Sequence, residues 1–501
     1  MCALLCAIML SAGVPAQDAA RNPVLVIVCD GLRPDYVTPE LMPNLHALGK
    51  SGVVCTNHHS VFPTVTRVNA SSFSTGCYPS GHGILGNTIY IPQADATRPL
   101  STGDVSNLMR VDEASGGRVL TAPSLGELLD AAGLNLAVAS AGSTGSAFLL
   151  NHRAKGGGVM NVDLVLPESN AARIRELLGE KPEEGYPNSA VNRYAVDSLL
   201  RIAIDQGRAD AAFLWISDPD HTAHAKDMGS PTTHDAIRLV DGEIGRITTA
   251  LQSKGLLGRV NILVTSDHGF STHVGPGNLA QLLVQAGHKR SLASTDVIVA
   301  EGAIYVDKHD AETTRAIVRT LQKTEWIGPM FTAAKSAGSF EGAMPGTLSF
   351  DSVNWNHERS GDIMTNANWT DEVNDFGYKG KTTQSGVAGH GTSSPFDIHN
   401  TLIAFGPDIK DATISDAPTG NVDIAPTVCH LLGIRPAETM QGRVLREILN
   451  GGPESSSLNP EVSTYEVSAV VDGIEYRLEL QKSRVGATEY VDFTRTTRRR
   501  R

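Results

Sequence analysis

The sequence lacks an excess of positive charge. Its 501 residues include 42 Lys and Arg against 54 Asp and Glu, which gives a formal net charge of −12. An acidic chain is a poor candidate for binding the backbone of a nucleic acid polymer, so we expect no such partner. It can still bind a small anion where metal ions supply the positive charge.

Long apolar runs and a cysteine framework are also missing. Beyond the first 20 residues, no run approaches the roughly 18 apolar residues of a membrane span, and we expect no transmembrane segment. The spacing of Cys29, Cys55, Cys77 and Cys429 fits neither a zinc knuckle nor a disulfide framework. The sequence leaves open whether any of these cysteines pair.

The first 20 residues have the pattern of a secretory signal peptide. An apolar run at 3–10 is followed by small residues at 11–16, with cleavage expected near Ala16 or at Ala19/Ala20. The basic start of a signal peptide is missing, so a frayed apolar N-terminus is the alternative. This segment predicts a secreted or periplasmic protein.

Apolar runs alternate with amphipathic helical patterns along the chain. Five continuous apolar runs predict buried strands, at 24–29, 136–139, 212–216, 260–264 and 402–405. Helical spacing of apolar residues follows Ser124 and recurs from Ile237 to Leu251. The alternation predicts an α/β fold with a central, mostly parallel sheet sandwiched by helices.

The length favours one large domain over three equal ones. We expect a catalytic domain at 21–450 with a large inserted cap region at about 272–385, and a short C-terminal extension at 451–501. The extension ends in four arginines, 498–501. Such a run is typical of a solvated tail, and binding to an anionic surface is the alternative.

Acidic residues and histidines lie next to the predicted strands, where an open α/β sheet binds its ligands. They are Asp30, Asp220, His224, Asp267, His268 and His390. Singly, each fits a turn residue or a solvated histidine. Their shared position favours a divalent metal site of carboxylates and imidazoles, because an uncompensated Asp there would be costly to desolvate.

A polar segment at 61–76 begins extended at Pro63 and continues as a predicted helix that ends near Gly76. A hydroxyl at a helix N-terminus is well placed to carry a phosphoryl group, because free N–H groups and the helix dipole stabilise its charge. The alternative is that Thr64 or Thr66 merely caps the helix.

Six short segments together match one family, in that family's order. They are residues 29–35, 62–66, 76–87, 218–220 with His224, 265–269, and His390 in Gly-His-Gly-Thr. On these segments the sequence resembles the nucleotide pyrophosphatase/phosphodiesterase (type I phosphodiesterase) branch of the alkaline phosphatase superfamily. The resemblance implies an alkaline phosphatase-like fold.

The resemblance also implies two zinc ions per chain, with two ligand sets. They are Asp220, His224 and His390 for one ion, and Asp30, Asp267, His268 and Thr66 for the other. Thr66 is the implied nucleophile, and Asn87 matches a residue that binds a phosphate oxygen. The implied activity is zinc-dependent hydrolysis of a phosphodiester or pyrophosphate bond in a small molecule, through a phosphothreonine intermediate.

Two positions bear on the substrate. The residue after the nucleophile is typically aromatic in nucleotide-cleaving relatives, but here it is Arg67, which could bind a charged substituent or lie on the surface. Trp215 matches the other base-stacking position. The Lys-x-Arg pair of monoesterase relatives aligns with 141–147, which contains no cation. That difference favours a diester or pyrophosphate substrate.

Other functions share part of this pattern. A phosphomonoesterase or a phosphonate hydrolase would use the same metal and threonine frame. A phosphosugar mutase would need a sugar-phosphate cap that we do not identify, and a non-catalytic binding protein would not need every ligand. The Cys/Ser-x-Pro-x-Arg motif of sulfatases is absent. The natural substrate and the oligomeric state stay open.

Overall fold

The computed structural model describes residues 21–153, 157–205 and 209–501. The predicted signal peptide at 1–20 lies outside the described residues. The strands, in chain order, are β1 Val24–Cys29, β2 Val53–His59, β3 Thr88–Ile89, β4 Leu100–Ser101, β5 Leu136–Ser140, β6 Gly157–Asn161, β7 Leu164–Leu166, β8 Ala211–Ile216, β9 Asn261–Thr265, β10 Ser271–Gly277, β11 Val297–Ala300, β12 Ala303–Val306, β13 Ile327–Thr332, β14 Leu348–Ser349, β15 Ile363–Ala367, β16 Trp369–Val373, β17 Lys379–Gln384, β18 Ala388–Gly389, β19 His399–Phe405, β20 Thr413–Ser415, β21 Thr419–Gly420, β22 Glu461–Val471, β23 Ile474–Val485 and β24 Thr488–Arg500.

The α-helices connect these strands. They are α1 Pro43–Ser51, α2 Thr66–Thr75, α3 Pro79–His82, α4 Val105–Ala114, α5 Leu125–Ala131, α6 Thr144–Leu150, α7 Ala171–Leu178, α8 Ser189–Ser198, α9 Asp220–Lys226, α10 Pro231–Ser253, α11 Leu279–Gln285, α12 Ala311–Lys323, α13 Pro395–Ile398 and α14 Ile424–Leu431.

The largest sheet confirms the predicted fold class. Its order is β20-β2-β19-β9-β1-β8-β5-β6-β7, with β21 beside β2. The central strands β9, β1, β8, β5 and β6 are parallel to one another. All five apolar runs of the sequence lie in this sheet.

Both faces of the central sheet are buried, which explains the continuous apolar runs. In β1, Val24, Val26 and Val28 belong to one hydrophobic cluster, and the alternate residues belong to a second one on the opposite face. Helices α2, α5 and α6 contribute to the first cluster. Helices α1, α8 and α10 contribute to the second.

The direction of β19 is decisive for the site. This strand is antiparallel to both of its neighbours, β9 and β2. Its N-terminal end therefore lies at the same edge as the carboxyl ends of β1, β8 and β9. A residue that precedes β19 in the sequence, such as His390, reaches the edge where Asp30 and Asp267 follow their strands.

The region around 272–385 adds two smaller sheets. One has five strands in the order β11-β12-β15-β13-β14, and the other has four in the order β16-β17-β10-β18. The hairpin between β11 and β12 has a two-residue turn at Glu301 and Gly302. This turn reaches the loop that carries Asn87, since the Glu301 carboxylate accepts hydrogen bonds there.

Three of the four C-terminal arginines lie in a β-strand, and one of them, Arg498, is partly buried. Strands β22, β23 and β24 form an antiparallel sheet, and β24 extends to Arg500. Within it, the half-buried Arg498 donates hydrogen bonds to the carbonyls of Gln322 and Ile327, at 2.8 Å and 2.7 Å. The prediction was wrong for this residue because β-pairing with β23 carries its side chain onto the end of α12.

The four described cysteines are buried and unpaired. In the part of the chain that the structure describes, no helix is both long enough and apolar enough to cross a membrane. The longest, α10, has 23 residues and a polar face.

Candidate active site

The predicted metal ligands converge at the carboxyl edge of the parallel strands. Asp30 follows β1, Asp267 and His268 follow β9, and Asp220 begins α9 after β8. Two groups of side chains have all of their ligand atoms within 4.8 Å of one another. These groups are Asp220, His224 and His390, and Asp30, Asp220 and His268.

Each of the three imidazoles is oriented by a backbone carbonyl. The Nδ1 partners are Ala388 O for His224 (2.8 Å), Gly269 O for His268 (2.9 Å) and Thr64 O for His390 (2.8 Å). A carbonyl oxygen only accepts, so Nδ1 carries the proton in each bond and Nε2 presents a lone pair. This is the arrangement of a metal-binding histidine.

The carboxylates are held in the same way, by one oxygen each. Trp215 Nε1–H donates to Asp30 Oδ2 at 2.9 Å, and Gly31 N–H donates to Asp267 Oδ1 at 3.1 Å. The opposite oxygens, Asp30 Oδ1 and Asp267 Oδ2, are buried with no hydrogen-bond donor among the described residues, and the same holds for Asp220 Oδ1. Buried anionic oxygens without donors are costly, and a divalent cation would compensate them.

Short distances join the two groups into one cluster. Asp220 Oδ1 lies 3.2 Å from His224 Nε2 and 3.4 Å from His390 Nε2. His268 Nε2 lies 3.0 Å from Asp267 Oδ2. The rings of His268 and His390 stack with their centroids 3.4 Å apart. A set of carboxylate oxygens and imidazole nitrogens fits zinc.

Burial and neighbouring charges shift the pKa values of the side chains in this cluster. Burial raises the pKa of Asp30 well above its usual range, and the charges of Asp267 and Asp220 add to the effect. Burial opposes ionisation of Asp220 too, but the adjacent His224 lowers the pKa of that carboxyl. Burial lowers the pKa of His224, but the Asp220 carboxylate outweighs this effect and raises the pKa to about 9. A metal ion that binds His224 Nε2 would therefore displace a proton from that nitrogen.

Thr66 is the first residue of α2, and its hydroxyl faces the cluster. Thr66 Oγ1 lies 3.4 Å from His268 Nε2. The N-cap of α2 is Val65, and no side chain caps the helix. The Thr64 hydroxyl instead donates to Thr392 O at 2.7 Å. Neither threonine caps α2 through its side chain, so the alternative of a simple cap is wrong.

Asn87 lies beside the same helix end. Its Oδ1 accepts the Arg67 N–H at 3.0 Å, which fixes the orientation of the amide. Its Nδ2 has no acceptor in the described part of the chain. The backbone N–H of Asn87 donates to Glu301 Oε2 at 2.7 Å. The amide of Asn87 therefore lies at the N-terminus of α2, beside the residue that follows Thr66.

Arg67 is half-buried and does not lie on the open surface. Its Nε is buried and has no partner among the residues described. Burial lowers the pKa of Arg67, and the charges of Glu301, Asp30, Asp220 and Asp267 oppose that effect.

The prediction that Trp215 stacks on a substrate base is wrong. Its side chain is completely buried in the sheet. The ring packs against Phe73 in a T-shaped contact, with centroids 6.2 Å apart. Its polar edge holds Asp30. The residue therefore orients a predicted metal ligand.

Two supporting residues, Asp218 and Glu301, were not among the predicted site residues. Asp218 is buried and accepts hydrogen bonds from Thr222, Asn188 and Asn192, which fixes the start of α9. Its place in the motif at 218–220 was a usable signal. Glu301 had none, because it lies more than 200 residues from Asn87 in the sequence and in no motif.

Gly31 is required by the close packing of the site. Its φ of +70° is in the left-handed region, and a Cβ there would lie 3.1 Å from both Asp220 Cβ and a carbon of the Phe270 ring.

A cavity of about 190 Å³ adjoins His390 and is lined by Glu301 and Trp326, among others. It offers room for an organic group beside the cluster.

Solved structures share the fold. Murine ectonucleotide pyrophosphatase/phosphodiesterase 5, in an inactive variant in complex with AMP, has a TM-score of 0.61 and 19% identity, covering 85% of this chain and all of that one. Its human counterpart has a TM-score of 0.57 and 20% identity over the same shares.

Curated relatives are similar in sequence. Human ectonucleotide pyrophosphatase/phosphodiesterase family member 7 is 25% identical over 263 residues, which are 52% of this chain and 51% of the relative. Rat family member 3 is 24% identical over 441 residues, or 83% of this chain and 42% of the relative. Venom phosphodiesterase 2 of Crotalus adamanteus is 25% identical over 255 residues, or 50% and 27%.

The chain spans about half the length, or less, of these curated relatives. Its match to a protein family is broader, since it extends from residue 24 to residue 390 and includes every predicted site residue. The chain therefore belongs to the type I phosphodiesterase / nucleotide pyrophosphatase family.

Proposed function

We propose that this protein hydrolyses a phosphodiester or pyrophosphate bond in a small molecule. The observation that carries the proposal is the convergence of three carboxylates and three imidazoles on the hydroxyl at the start of α2. Family membership supports the reaction class. The murine neighbour binds AMP as an inactive variant in which one threonine is replaced by alanine, which supports a threonine nucleophile and a nucleotide-like substrate.

The donor set fits two zinc ions. Asp220, His224 and His390 would hold one ion, and Asp30, Asp267 and His268 would hold the other together with the Thr66 oxygen. When bound, such ions lower the pKa of a coordinated hydroxyl and neutralise the charge of a phosphoryl group. The orphaned oxygens Asp30 Oδ1, Asp220 Oδ1 and Asp267 Oδ2 support this assignment.

The chain's own residues then perform the transfer. Thr66 Oγ1 gives up its proton and forms a bond to phosphorus as the bond from phosphorus to the leaving oxygen breaks, and the leaving alcohol or phosphate takes up a proton. The Asn87 amide donates to a phosphoryl oxygen, and the N-terminus of α2 stabilises the same charge. Water then attacks the phosphothreonine, which releases phosphate or a phosphomonoester and restores Thr66.

Replacing the nucleophile tests the proposal. We expect Thr66→Ala to lower the turnover of bis-p-nitrophenyl phosphate by at least roughly a thousandfold, because the oxygen that attacks phosphorus is removed. Elemental analysis should still find zinc in the variant. Thr75→Ala, at the other end of α2, is the matched control and should keep its activity.

Two results would contradict the proposal. Full activity in Thr66→Ala would remove Thr66 from the nucleophile role. A wild-type protein that binds no zinc and cleaves no phosphoester would favour the non-catalytic alternative.

Phosphomonoesterase and phosphonate hydrolase are the rival functions on this frame. The segment at 141–147 supplies hydroxyls in place of cations, and they are engaged within the protein. Thr144 Oγ1 donates to Gly103 O, and Ser146 Oγ donates to Ser143 O. Arg67, unlike Thr144 and Ser146, favours a substrate with more negative charge than a phosphodiester carries. A p-nitrophenyl diester and the matching monoester, compared directly, discriminate between these functions.

The proposed location is outside the cytoplasm, secreted or periplasmic. The apolar segment at 1–20 supports it, as do relatives named as venom phosphodiesterases. Fractionation of expressing cells, with N-terminal sequencing of the purified chain, is the test. An intact Met1 on a cytoplasmic protein would contradict this location.

A further inference from the structure

Arg67 is a charged side chain next to Thr66, and its guanidinium donates to no residue that the structure describes. Its Nε is buried without a partner, and in the described part of the chain the guanidinium makes no hydrogen bond or ion pair. Only its backbone N–H is engaged, by Asn87. The buried Nε has therefore given up water without gaining an acceptor.

The guanidinium is within electrostatic range of the predicted metal ligands. The charges that act on it, after burial, are those of Glu301, Asp30, Asp220 and Asp267. It lies over Gly103, where a Cβ would be 3.7 Å from Arg67 Cζ and Nη2. Arg67 follows Thr66 in the first turn of α2, so its side chain starts beside the proposed nucleophile.

Glu301 supports the charge of Arg67 without occupying its donors. Its Oε2 accepts the N–H groups of Asn87 at 2.7 Å and Thr88 at 3.4 Å, which fixes the carboxylate on the neighbouring loop. Gly86 permits this approach, since a Cβ there would lie 2.8 Å from the same oxygen. The charge of Glu301 thus favours the charged form of Arg67, while its carboxylate is bound to backbone N–H groups and not to the guanidinium.

We propose that Arg67 binds a second anionic oxygen of the substrate, in addition to the single charge of a simple phosphodiester. The inference rests on the proposed function and narrows its substrate class to phosphoesters with two negative charges. A guanidinium binds phosphoryl oxygens in a bidentate manner. The second charge comes either from the neighbouring phosphoryl group of a pyrophosphate or from the third oxygen of a monoester.

Three substrates with the same leaving group separate these sources. They are methyl p-nitrophenyl phosphate, with one charge, methyl p-nitrophenyl diphosphate, with a charge on each phosphoryl group, and p-nitrophenyl phosphate, with two charges on one. We expect Arg67→Gln to lower the ratio of kcat/KM for a doubly charged substrate to that for the simple diester by roughly ten- to a hundredfold. The doubly charged substrate whose kcat/KM falls more in Arg67→Gln identifies which phosphoryl oxygen carries the second charge.

Two further variants test specificity. Arg67→Lys keeps the charge and should restore part of the ratio, though not all, because an ammonium cannot form the bidentate contact. Arg110→Gln is the matched control, since Arg110 is exposed and pairs with Asp95 away from the site. It should leave the ratio unchanged. An unchanged ratio in Arg67→Gln, including an equal loss on all three substrates, overturns the proposal.

A binding measurement makes the inference independent of turnover. On zinc-loaded Thr66→Ala protein, titration calorimetry should show at least a tenfold weaker affinity for inorganic phosphate when Arg67→Gln is added. The change for dimethyl phosphate should be much smaller. Equal effects on the two anions overturn the proposal. If the wild type cleaves none of the three substrates, the proposed function fails, and this titration still decides whether Arg67 binds a doubly charged anion.

Discussion

At the residue scale, Trp215 has a structural role that its sequence position hides. It occupies the penultimate position of β8, and the strand directs its ring into the core against Phe73. Its N–H holds Asp30 Oδ2, so that Asp30 Oδ1 is left for the site. Residues that hydrogen-bond to a metal ligand tune the affinity of the metal.

Trp215→Phe tests this role. The ring is largely kept while the N–H donor is lost, so we expect zinc affinity to fall by about tenfold, measured by competition with a chelator. Trp355→Phe is the matched control, because that side chain is equally buried and its N–H donates to Leu85 O at 2.9 Å. Equal zinc affinity in wild type and Trp215→Phe would contradict the role.

At the element scale, the end of α12 depends on the C-terminal strand β24. The last carbonyls of a helix lack internal partners and carry partial negative charge. Arg498 donates to Leu321 O and Gln322 O in the last turn, and its guanidinium lies 5.0 Å from the centre of the Tyr476 ring. The strand therefore stabilises a helix of the 272–385 region.

Arg498→Gln should lower the free energy of unfolding by about 1.5–3 kcal/mol, the range for hydrogen bonds to charged groups. Arg500→Gln, two residues on and exposed, should change it little. Denaturant unfolding of the two variants beside wild type gives the comparison. An equal, small loss of unfolding free energy in both variants would contradict the stabilising role of Arg498.

At the scale of the whole molecule, buried neutral histidines set the response to acid. His58 is 1% exposed, and its two ring nitrogens meet Thr419 and Asn421 at 2.8 Å and 2.9 Å. Burial lowers the pKa of His58 to about 3. Burial also holds the pKa of His82 well below its usual value. Below about pH 6.5, the unfolded chain therefore binds protons at His58 and His82 that the folded protein does not bind.

Stability should therefore fall as the pH is lowered from about 6.5 to about 3. In this window the unfolded chain binds a proton at His58 and the folded chain does not, which costs about 1.4 kcal/mol per pH unit. His58→Gln should remove that part of the slope in denaturant unfolding measured at pH 7.5, 6 and 5. His309→Gln changes an exposed histidine and is the control. An identical slope in His58→Gln and wild type would contradict the prediction.

Local patterns in the sequence determined the strands and most of the site. Continuous apolar runs locate β1, β5, β8, β9 and β19 because a strand buried on both faces needs no polar residues. The acidic residues and histidines beside them are recognisable, since polar groups at strand ends have a chemical reason to be there. Asp30, Asp220 and Asp267 are therefore evident from the sequence.

Tertiary structure alone decided the direction of β19, the hydrogen bond from Trp215 to Asp30 and the positions of Glu301 and Arg498. An apolar run has the same pattern in either direction, yet only the antiparallel one brings His390 to the cluster. The contacts of Glu301 with Asn87 and of Arg498 with α12 join residues more than 170 positions apart. Local sequence encodes periodicity and burial, whereas pairing across such separations depends on how the sheets pack, so only the folded chain determines it.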